Sequence, residues 1–356
     1  MWSAKTNPIN LADYEALARE RLTETAWDYY AGGAEDERTV AENCEAFRSI
    51  KLCPRVLVDV GTRDLTTQVL GQPVALPVLL GPTTYQRLAH PDAEIACARA
   101  AAAGTIFVVP TEGHYAVRAI AAAAPGPLWF QLYTFGDREA ITRLIQGAEQ
   151  AGCRALVVTV TAFYEPRRER HLRRPLLLPP EVRLGSLEEA GLVTPGSLKE
   201  PAMLPLTWPD IAWLRTITRL PIVLKGIMTG EDAVLAVEHG VDAIVVSNHG
   251  GRQVDGTLAT IEALPEIAER VAGRIEILLD GGIRRGTDVL KALALGAKAV
   301  LIARPYLWGL ATSGEEGVRR VLDMLRDEID GAMAQLGRPD IKSVDSTMVK
   351  LRYAGK

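Results

Sequence analysis

Short apolar runs alternate with Ala-rich amphipathic segments along most of the chain. From about Leu76 onward, eight runs have the length and the β-branched content of buried strands. They are Leu76 to Leu80, Thr105 to Val109, Leu128 to Leu132, Ala155 to Thr159, Ile222 to Lys225, Ala243 to Ser247, Ile277 to Asp280 and Ala299 to Ile302. The segments between them predict helices, among them Ala93 to Ala103, Arg138 to Ala151, Ala233 to His239 and Thr287 to Leu295.

This alternation predicts a closed (β/α)8 barrel of the TIM type. Eight strands that alternate with helices are typical of that fold, and the competing architecture, a doubly wound open sheet, fits eight units less well. We predict one domain over residues 1–356. Within it, residues 1–75 form a helical segment and lead-in, 76–312 the barrel, and 313–356 a C-terminal helix and tail.

The N-terminal segment is predicted to be helical over residues 8–48. Apolar residues recur at helical spacing from Leu11 to Leu22, and a second helix ends at Gly32-Gly33. Tyr29 and Tyr30 stand at that end. Because adjacent residues of a helix point in different directions, at most one of the two tyrosines belongs to the core, and the other is free for a functional site.

One gap interrupts the alternation. After the fourth strand, residues 162–206 are rich in Arg, Pro and Gly, and the next clear helix starts near Thr207. Loops of this length are uncommon in compact domains and are usually functional or disordered. At the strand-end face of a barrel such a loop would cover the active site. We therefore predict a mobile lid, with a disordered middle from about Leu184 to Ala202.

Composition points to a small-molecule partner. The formal net charge is -4 and the pI about 5.9, so no basic excess suggests nucleic acid or an anionic membrane. The four cysteines have no CxxC spacing and predict free thiols in a reducing cytoplasm, with no metal site. The first residues lack an apolar h-region, and no uncharged run approaches the roughly 18 residues of a membrane span, so neither a signal peptide nor a span is predicted.

The sixth predicted strand ends in polar residues and glycines, from Asn248 to Gln253. A titratable His249 and a permanently charged Arg252 share a glycine-permitted turn at the carboxyl end of a strand. This arrangement combines a base with an anion-binding group. The plainer alternative, a helix-capping loop with an incidental histidine, leaves the neighbouring Arg252 and Gln253 unexplained.

The loops after the seventh and eighth strands have the features of a phosphate site. Glycine-rich backbone opens a helix within Asp280 to Gly286, and Arg284 and Arg304 add positive charge where barrels often bind phosphate. The glycines alone would also fit tight turns. Lys225 ends an apolar strand, where an unpaired ammonium is costly, so it needs an anionic partner. A cofactor with a phosphate tail and an electron-accepting ring satisfies both requirements.

Together these residues resemble a known family. From about Leu11 to Leu325, and least in the lid, the chain is similar to the FMN-dependent α-hydroxy-acid oxidases and dehydrogenases, which include glycolate, lactate and mandelate enzymes. The motifs that carry the resemblance are Asp28 to Asp36, Gln86 to Pro91, Phe130 to Tyr133, Ser247 to Gln253 and Asp280 to Gly286. The resemblance implies FMN as cofactor and oxidation of an L-2-hydroxy acid to the 2-oxo acid. It also implies reoxidation by O2 or another acceptor, and a homo-oligomer, either a tetramer or an octamer.

The resemblance further implies roles for five residues in catalysis. His249 would take a proton from the 2-hydroxy acid while two electrons pass to the flavin. Arg252, Arg168 and Tyr29 would hold the substrate carboxylate, for which a guanidinium has suitable geometry. Tyr133 would bond a substrate oxygen.

Other residues would hold FMN. Lys225 would face the N1/O2 edge of the ring and stabilise its anionic reduced form. Gln131 and Thr159 would bond the ring, while Arg284 and Arg304 would bind the phosphate. The full set of implied cofactor-binding residues is Pro82, Thr83, Thr84, Gln131, Thr159, Lys225, Ser247, Asp280, Gly282, Arg284, Ala303 and Arg304.

Three positions depart from the family pattern. Most members carry an Asp that supports the catalytic histidine two residues after the fourth-strand threonine, and this chain has Thr161. A neutral hydroxyl stabilises an imidazolium less than a carboxylate does, so His249 should be a weaker base. Glu112 stands where glycolate enzymes often have an aromatic residue, and Glu165 replaces part of a more basic and apolar stretch. Either these changes are drift within a working hydroxy-acid oxidase, or Glu112 and Glu165 receive a cationic or hydrogen-bond-donating group of an unusual hydroxy acid or amine.

Two other functions fit the residues less well. A flavin-binding protein without turnover would not need all five residues assigned above to catalysis. A lyase with a Schiff base on Lys225 leaves the motif around His249 unexplained. Among the remaining histidines, we predict that His90 is a structural hydrogen bonder. The three histidines expected at the surface or in the lid, without partners, are His114, His171 and His239.

Overall fold

In the computed structural model, which describes residues 8–161 and 163–351, strands alternate with helices. The strands are β1 (Ile50–Leu52), β2 (Thr67–Val69), β3 (Gln72–Val74), β4 (Val78–Leu80), β5 (Phe107–Val109), β6 (Leu128–Leu132), β7 (Leu156–Thr159), β8 (Ile222–Ile227), β9 (Ala243–Val246), β10 (Glu276–Leu279), β11 (Ala299–Ile302) and β12 (Val349–Leu351). The helices are α1 (Leu11–Arg21), α2 (Glu24–Ala31), α3 (Arg38–Ser49), α4 (Ala93–Ala101), α5 (Val117–Ala123), α6 (Arg138–Gln150), α7 (Glu169–Arg173), α8 (Gly185–Glu189), α9 (Trp208–Ile217), α10 (Gly230–Glu238), α11 (Thr260–Val271), α12 (Gly286–Ala294) and α13 (Arg304–Leu336). None of these helices is long and apolar enough to cross a membrane.

Strands β4 to β11 form a closed parallel barrel in chain order. The barrel closes where Val300 of β11 pairs with Val78 of β4. Each of the eight predicted runs overlaps one of these strands, so the predicted (β/α)8 barrel is confirmed and the open sheet is excluded. Most residues of these strands are apolar because their side chains face either the barrel interior or the surrounding helices.

A β-hairpin covers the end of the barrel where the strands begin. β2 and β3 pair in antiparallel fashion, and Val69 and Val74 pack with interior residues such as Trp129. Glu276, at the start of β10, accepts a hydrogen bond from the Leu70 amide over 2.9 Å. No sequence pattern predicted this hairpin. Because it covers one end, the functional site lies at the opposite end, where the strands finish.

The N-terminal helices lie beside the strand-end face. They confirm the predicted helical segment. As expected, one of its two tyrosines is buried in the core and the other is not. Tyr30 is 4 % exposed and donates its hydroxyl to the carbonyl of Tyr85 over 2.6 Å, whereas Tyr29 faces a cavity. At the other end of the chain, α13 bends at Ser313 and Gly314, where the backbone leaves helical geometry. This bend coincides with the predicted end of the barrel.

The long loop after β7 contains two short helices, α7 and α8. We expected disorder from about Leu184 to Ala202. This expectation is wrong for the first residues of that range, because they form α8, and Leu184 and Leu187 are fully buried. The end of the loop is also fixed, since Met203 forms an antiparallel bridge with Phe135. Leu184 and Leu187 have helical spacing, but α8 has only 5 residues, which is too short for a period to be recognised in the sequence. That the loop moves as a lid stays a prediction.

Candidate active site

A cavity of about 760 Å³ opens at the carboxyl ends of the barrel strands. The predicted site residues that line it are Tyr29, Pro82, Thr83, Thr84, Glu112, Gln131, Tyr133, Thr159, Glu165, Arg168, Lys225, His249, Arg252, Asp280, Gly282, Arg284, Ala303 and Arg304. Thr161 and Ser247 lie behind this lining, where they contact His249 and Lys225. The structure therefore brings the predicted residues together in one place.

His249 stands on a turn whose backbone is left-handed at three consecutive residues. The φ angle is 57° at His249, 65° at Gly250 and 74° at Gly251, a conformation that glycine adopts easily and histidine rarely. The amide of His249 donates to Oγ of Ser247 over 3.2 Å. The two glycines let the chain reverse directly after β9, and the imidazole lies in the cavity.

The surroundings of His249 favour its neutral form. Its Nδ1 atom lies 3.0 Å from Oγ1 of Thr161, so the residue that replaces the family carboxylate contacts the ring directly. Burial lowers the pKa of His249 well below 6.5, and the positive charges of Lys225 and Arg252 lower it further. The imidazole is therefore neutral at pH 7 and able to accept a proton.

A pair of buried asparagines holds the His249 turn against α3. Asn43 Nδ2 donates to Asn248 Oδ1 over 2.9 Å, and Asn248 Nδ2 donates to Asn43 Oδ1 over 2.8 Å. Asn43 Oδ1 also accepts from the amide of Thr260 over 3.2 Å. Asn43 and Asn248 are only 2 % and 6 % exposed, so their amide groups depend on each other. The sequence placed Asn248 in its motif but contained no signal for Asn43.

Substitution Asn43→Ala should therefore destabilise the fold. It leaves buried polar groups of Asn248 and Thr260 without a partner, which costs about 1–3 kcal/mol. Urea unfolding followed by circular dichroism should show a lower midpoint than wild type. Glu42→Ala is a matched control, since Glu42 precedes Asn43 on α3 and is exposed. An Asn43→Ala midpoint equal to that of the control would contradict the role of the pair.

Two arginines bring positive charge to the same part of the cavity. Arg252 Nη1 donates to the carbonyls of Tyr29 and Gly32 over 2.5 and 2.9 Å, and Arg168 Nε donates to the carbonyl of Arg252 over 3.4 Å. Burial and the charge of Arg168 lower the pKa of Arg252 to about 10. Because these partners are neutral carbonyls, they leave the charge of both guanidinium groups available to an anion.

His171 belongs to this group, although the sequence predicted a lid residue without partners. It lies in the lid helix α7, but its ring stacks on Tyr29 at 5.4 Å between centroids, with 8° between the planes, and it lines the cavity. Burial and the charges of Arg252 and Arg168 lower the pKa of His171 to about 4. The hydroxyl of Tyr29 is hydrogen-bonded to Oγ1 of Thr84.

The other three histidines are absent from the cavity lining. His90 Nδ1 accepts from the amide two residues further on over 3.2 Å, which fits the predicted structural role. The expectation that His114 and His239 lack partners is wrong. His114 Nδ1 accepts from the amide of Arg183 over 3.1 Å, and the ring of His239 stacks on Trp208 at 5.4 Å.

A buried ion pair lies deeper in the cavity. Lys225 is 6 % exposed, and its Nζ atom lies 3.0 Å from Oδ2 of Asp280 and donates to Oγ of Ser247 over 3.1 Å. Lys225 was expected to need an anionic partner, and Asp280 of the same chain is such a partner. Asp280 Oδ1 is buried and has no hydrogen-bond partner within the described ranges, so it can accept a hydrogen bond from a ligand.

The loops that begin α12 and α13 form a cationic pocket. The φ angle of Gly282 is 80°, and a Cβ atom there would lie 1.9 Å from the carbonyl oxygen of Asn43, so the close approach requires glycine. Arg304 donates to three backbone carbonyls over 2.9 to 3.0 Å, and burial, with the charges of Arg252 and Arg284, lowers its pKa to about 9. Buried guanidinium charge beside helix N-termini fits a phosphate dianion.

Neutral polar side chains line the cavity between these charged groups. Gln131 Nε2 donates to Oγ1 of Thr159 over 3.1 Å, and Gln131 Oε1 accepts from the amide of Thr111 over 3.2 Å. The ring of Tyr133 lies 5.8 Å from that of Phe135. Burial raises the pKa of Tyr133, so its hydroxyl remains a hydrogen-bond donor at pH 7.

The wall that follows β4 and β5 is acidic. Glu112 is 9 % exposed, and the hydroxyl of Tyr85 donates to Oε1 of Glu200 over 2.7 Å and lies 3.5 Å from Oε1 of Glu112. Glu165, by contrast, is exposed where it lines the cavity. Neither Tyr85 nor Glu200 is among the site residues predicted from the sequence. Tyr85 directly follows the predicted Thr84 and was recognisable as a strand-end residue, whereas Glu200 lies in the loop without a pattern.

The fold and this cavity define a class of protein. A buried neutral base, unneutralised arginines and a phosphate pocket at the ends of β10 and β11 are typical of a (β/α)8-barrel enzyme with an anionic substrate and a phosphate-bearing cofactor. Comparison with known proteins identifies the family. The FMN-dependent dehydrogenase family matches residues 18–351, and the chain belongs to it. The protein is an oxidoreductase whose cofactor is FMN.

Curated relatives match the chain over nearly its whole length. It is 47 % identical to an L-lactate oxidase of Nostoc sp., covering 98 % of this chain and 100 % of the relative. It is 44 % identical to the glycolate oxidase of Spinacia oleracea, over 97 % of this chain and 96 % of the relative. The 2-hydroxyacid oxidase 1 of Homo sapiens is 45 % identical, over 96 % of each chain.

Solved structures of mandelate oxidase share the fold. One superposes with a TM-score of 0.90 at 40 % identity, covering 97 % of this chain and 98 % of the other. A structure of mandelate oxidase with benzoyl-formic acid gives the same TM-score, identity and coverage. The likeness extends across the barrel, the N-terminal helices and the long loop.

Proposed function

We propose that the protein oxidises an L-2-hydroxy acid to the 2-oxo acid, with FMN as electron acceptor. The observation that carries this proposal is the buried, neutral His249 in one cavity with Arg252 and Arg168. The names of the relatives, which include L-lactate, glycolate and 2-hydroxyacid oxidases, support the substrate class.

His249 is the group that takes the hydroxyl proton. Burial and the surrounding cations keep its imidazole neutral. Thr161 contacts Nδ1, and when Nδ1 carries the ring hydrogen and donates it to this hydroxyl, Nε2 is the nitrogen that accepts a proton. A carboxylate in place of Thr161 would only accept a hydrogen bond and would fix the proton on Nδ1. A hydroxyl can donate or accept a hydrogen bond. It therefore favours less strongly the tautomer that has its hydrogen on Nδ1 and a free Nε2.

The arginines bind the substrate carboxylate. The guanidinium of Arg252 is held by two carbonyls, and its fork of donors matches a carboxylate. Arg168 and Tyr29 complete the binding site, and the protonated Tyr133 donates to a substrate oxygen. These contacts orient the hydroxyl group towards His249.

FMN, when bound, supplies the two-electron acceptor. The residues present fit it, because the cavity has excess positive charge near Arg304 and a buried carboxylate oxygen of Asp280 without a partner. Lys225, Gln131 and Thr159 hold the ring. The phosphate is held by Arg284 and Arg304 and by the amides of Gly282 and Ala303, the backbone of Pro82, Thr83 and Thr84 lines the ring, and Ser247 orients Lys225.

The experiment that tests this function measures products. Purified protein in air should convert glycolate, L-lactate or mandelate to the 2-oxo acid. If O2 is the acceptor, one H2O2 forms for each 2-oxo acid, since two electrons and two protons leave the substrate. Turnover that appears only with an added dye acceptor would contradict the choice of O2. Absence of a 2-oxo acid from every hydroxy acid would contradict the function itself.

We also propose a subunit number and a cellular location for the protein. We infer a homo-oligomer, a tetramer or octamer as in the family it resembles, which light scattering tests directly. We also infer a cytoplasmic location. The four cysteines are free and partly or fully buried, as expected of a protein in a reducing compartment.

Substitution Thr161→Asp should speed the oxidation of simple 2-hydroxy acids. The carboxylate would hold the proton on Nδ1 of His249 and stabilise the imidazolium, effects that are worth about tenfold or more at such positions. It would also raise the pKa of His249, and the base must be unprotonated, so the acidic limb of the kcat/KM profile should move to higher pH. Stopped-flow flavin reduction across a pH series measures both effects.

Thr161→Val is the matched control for this prediction. It keeps the shape of Thr161 but removes the hydroxyl. The rate of flavin reduction should therefore fall, and the acidic limb of the kcat/KM profile should not move to higher pH. A Thr161→Asp variant that binds FMN, shows no gain in rate and keeps the wild-type pH profile would show that His249 does not depend on this contact.

A further inference from the structure

The cavity has walls of opposite charge. Glu112 follows β5 and His249 follows β9, and these strands are four places apart in the ring of eight. Their loops therefore face each other across the barrel. Tyr85, which follows β4, lies beside Glu112. The wall opposite the base thus consists of carboxyl groups and a phenol, and the positive charge of Arg168 acts on Glu112 as well.

The acidic wall contains more acceptors than donors. The single hydroxyl proton of Tyr85 serves Glu200 at 2.7 Å, with Oε1 of Glu112 at 3.5 Å. Glu112 and Glu200 also hydrogen-bond to each other, and burial together with the charge of Glu200 raises the pKa of Glu112. The protonated form of Glu112 is therefore favoured, while several oxygen lone pairs of the two carboxyl groups remain for a ligand.

The backbone of the long loop fixes Glu200 in this position. Shortly after it, the Gly136 amide donates to the carbonyl of Ala202 over 2.9 Å, and the Leu204 amide donates to the carbonyl of Thr134 over 2.7 Å. These strand-like contacts join the end of the loop to the segment after β6. The backbone contacts on its C-terminal side therefore hold Glu200 in the wall of the cavity.

We propose that Glu112, Glu200 and Tyr85 select 2-hydroxy acids whose side chain ends in a hydrogen-bond donor, either a hydroxyl or an ammonium group. This inference rests on the proposed oxidation of 2-hydroxy acids. In that geometry the carboxylate of the substrate binds at Arg252 and Arg168. The end of the substrate side chain then supplies the hydrogen-bond donors that the acidic wall lacks. An apolar side chain would leave the buried carboxyl group of Glu112 without such a partner, which is costly.

A matched substrate series tests the selection. 2-Hydroxy acids of equal length that end in a methyl, a hydroxyl or an ammonium group are compared by anaerobic flavin reduction, at several chain lengths. At the best length, kcat/KM for a donor-ended acid should exceed that for the methyl-ended acid at least about tenfold, because a site built to accept a hydrogen bond rejects the analogue that lacks the donor. The hydroxyl and ammonium arms distinguish a neutral from a cationic terminus.

Two conservative variants assign the preference to the wall. Glu112→Gln and Glu200→Gln should each lower the ratio of donor-ended to methyl-ended kcat/KM at least about fivefold, because an amide NH2 replaces an oxygen that can accept a hydrogen bond. Glu181→Gln is the control, since Glu181 is an exposed acid of the same loop outside the cavity lining, and it should leave the ratio unchanged. Retained FMN absorbance shows that each variant is folded.

The outcomes separate this inference from the function on which it rests. If wild type reduces its flavin equally fast with methyl-ended and donor-ended acids, the selection is refuted and the oxidation of 2-hydroxy acids stands. If the preference is lost in Glu165→Gln but kept in Glu112→Gln and Glu200→Gln, the acidic wall is the wrong site. If no 2-hydroxy acid reduces the flavin, both proposals fail.

Discussion

Substitution of His249 by Gln should lower the rate of substrate-dependent flavin reduction about 10³-fold, since general acid–base catalysis contributes about 10²–10⁴-fold in enzymes. Glutamine has a size similar to that of histidine and can accept a hydrogen bond, but it cannot take up a proton at neutral pH. In wild type, burial and nearby cations hold the pKa of His249 well below its usual value. The base is therefore ready at pH 7, and its loss has no substitute among the neighbouring arginines.

Anaerobic stopped-flow spectroscopy with saturating L-lactate or glycolate measures this effect. The variant should bind FMN as wild type does, because the predicted cofactor contacts are made by other residues. Binding of the 2-oxo acid product, followed through the flavin spectrum, should also change little, since Arg252 and Arg168 remain. A His249→Gln variant with more than about a tenth of the wild-type rate would rule out His249 as the base.

Substitution of Arg304 by Ala should weaken FMN binding about 10- to 100-fold, because hydrogen bonds to charged groups contribute about 1.5–3 kcal/mol. Arg304 is buried among backbone carbonyls, and the charges of Arg252 and Arg284 help to lower its pKa. A phosphate dianion offsets this accumulated positive charge. The substitution removes the group that we expect to meet the phosphate directly.

Comparison of FMN with riboflavin isolates the phosphate contribution. Riboflavin lacks the phosphate, so its affinity for apoprotein should be almost the same in wild type and Arg304→Ala. Arg285→Ala is the matched control, because Arg285 is next to the phosphate loop but pairs with Glu328 at the surface, at 3.1 Å. Equal losses for both ligands would mean that Arg304 supports the fold of the N-terminal segment and does not bind the phosphate.

The barrel was predictable because its signal is repeated. Eight apolar runs separated by amphipathic segments leave few alternatives, and the strand ends follow from the runs. This rule predicts that Lys225, His249 and Arg304 lie close together, and all three line the same cavity. Their roles in catalysis and cofactor binding stay predictions until the variants above are measured.

The contacts that the sequence did not reveal are long-range. Asn43 and Asn248 are 205 positions apart, and Glu200 reaches Tyr85 across 115 positions. Neither pair lies on a shared period of one helix or strand, so no local pattern connects its members. The expectation that His171 lacks a partner is wrong for the same reason, since its stacking on Tyr29 depends on how α7 packs against α2. Tertiary packing, more than propensity, determines these positions.

The visible spectrum of the purified protein, followed without air during addition of 2-hydroxy acids, tests the central claim most directly. The flavin absorption band should bleach with glycolate, L-lactate, mandelate or a donor-ended 2-hydroxy acid, and an equivalent amount of the 2-oxo acid should form. Bleaching should be lost in His249→Gln. A protein that carries FMN but is bleached by no 2-hydroxy acid would contradict the proposed oxidation, and a protein that cannot be reconstituted with FMN would contradict the assignment of the cavity.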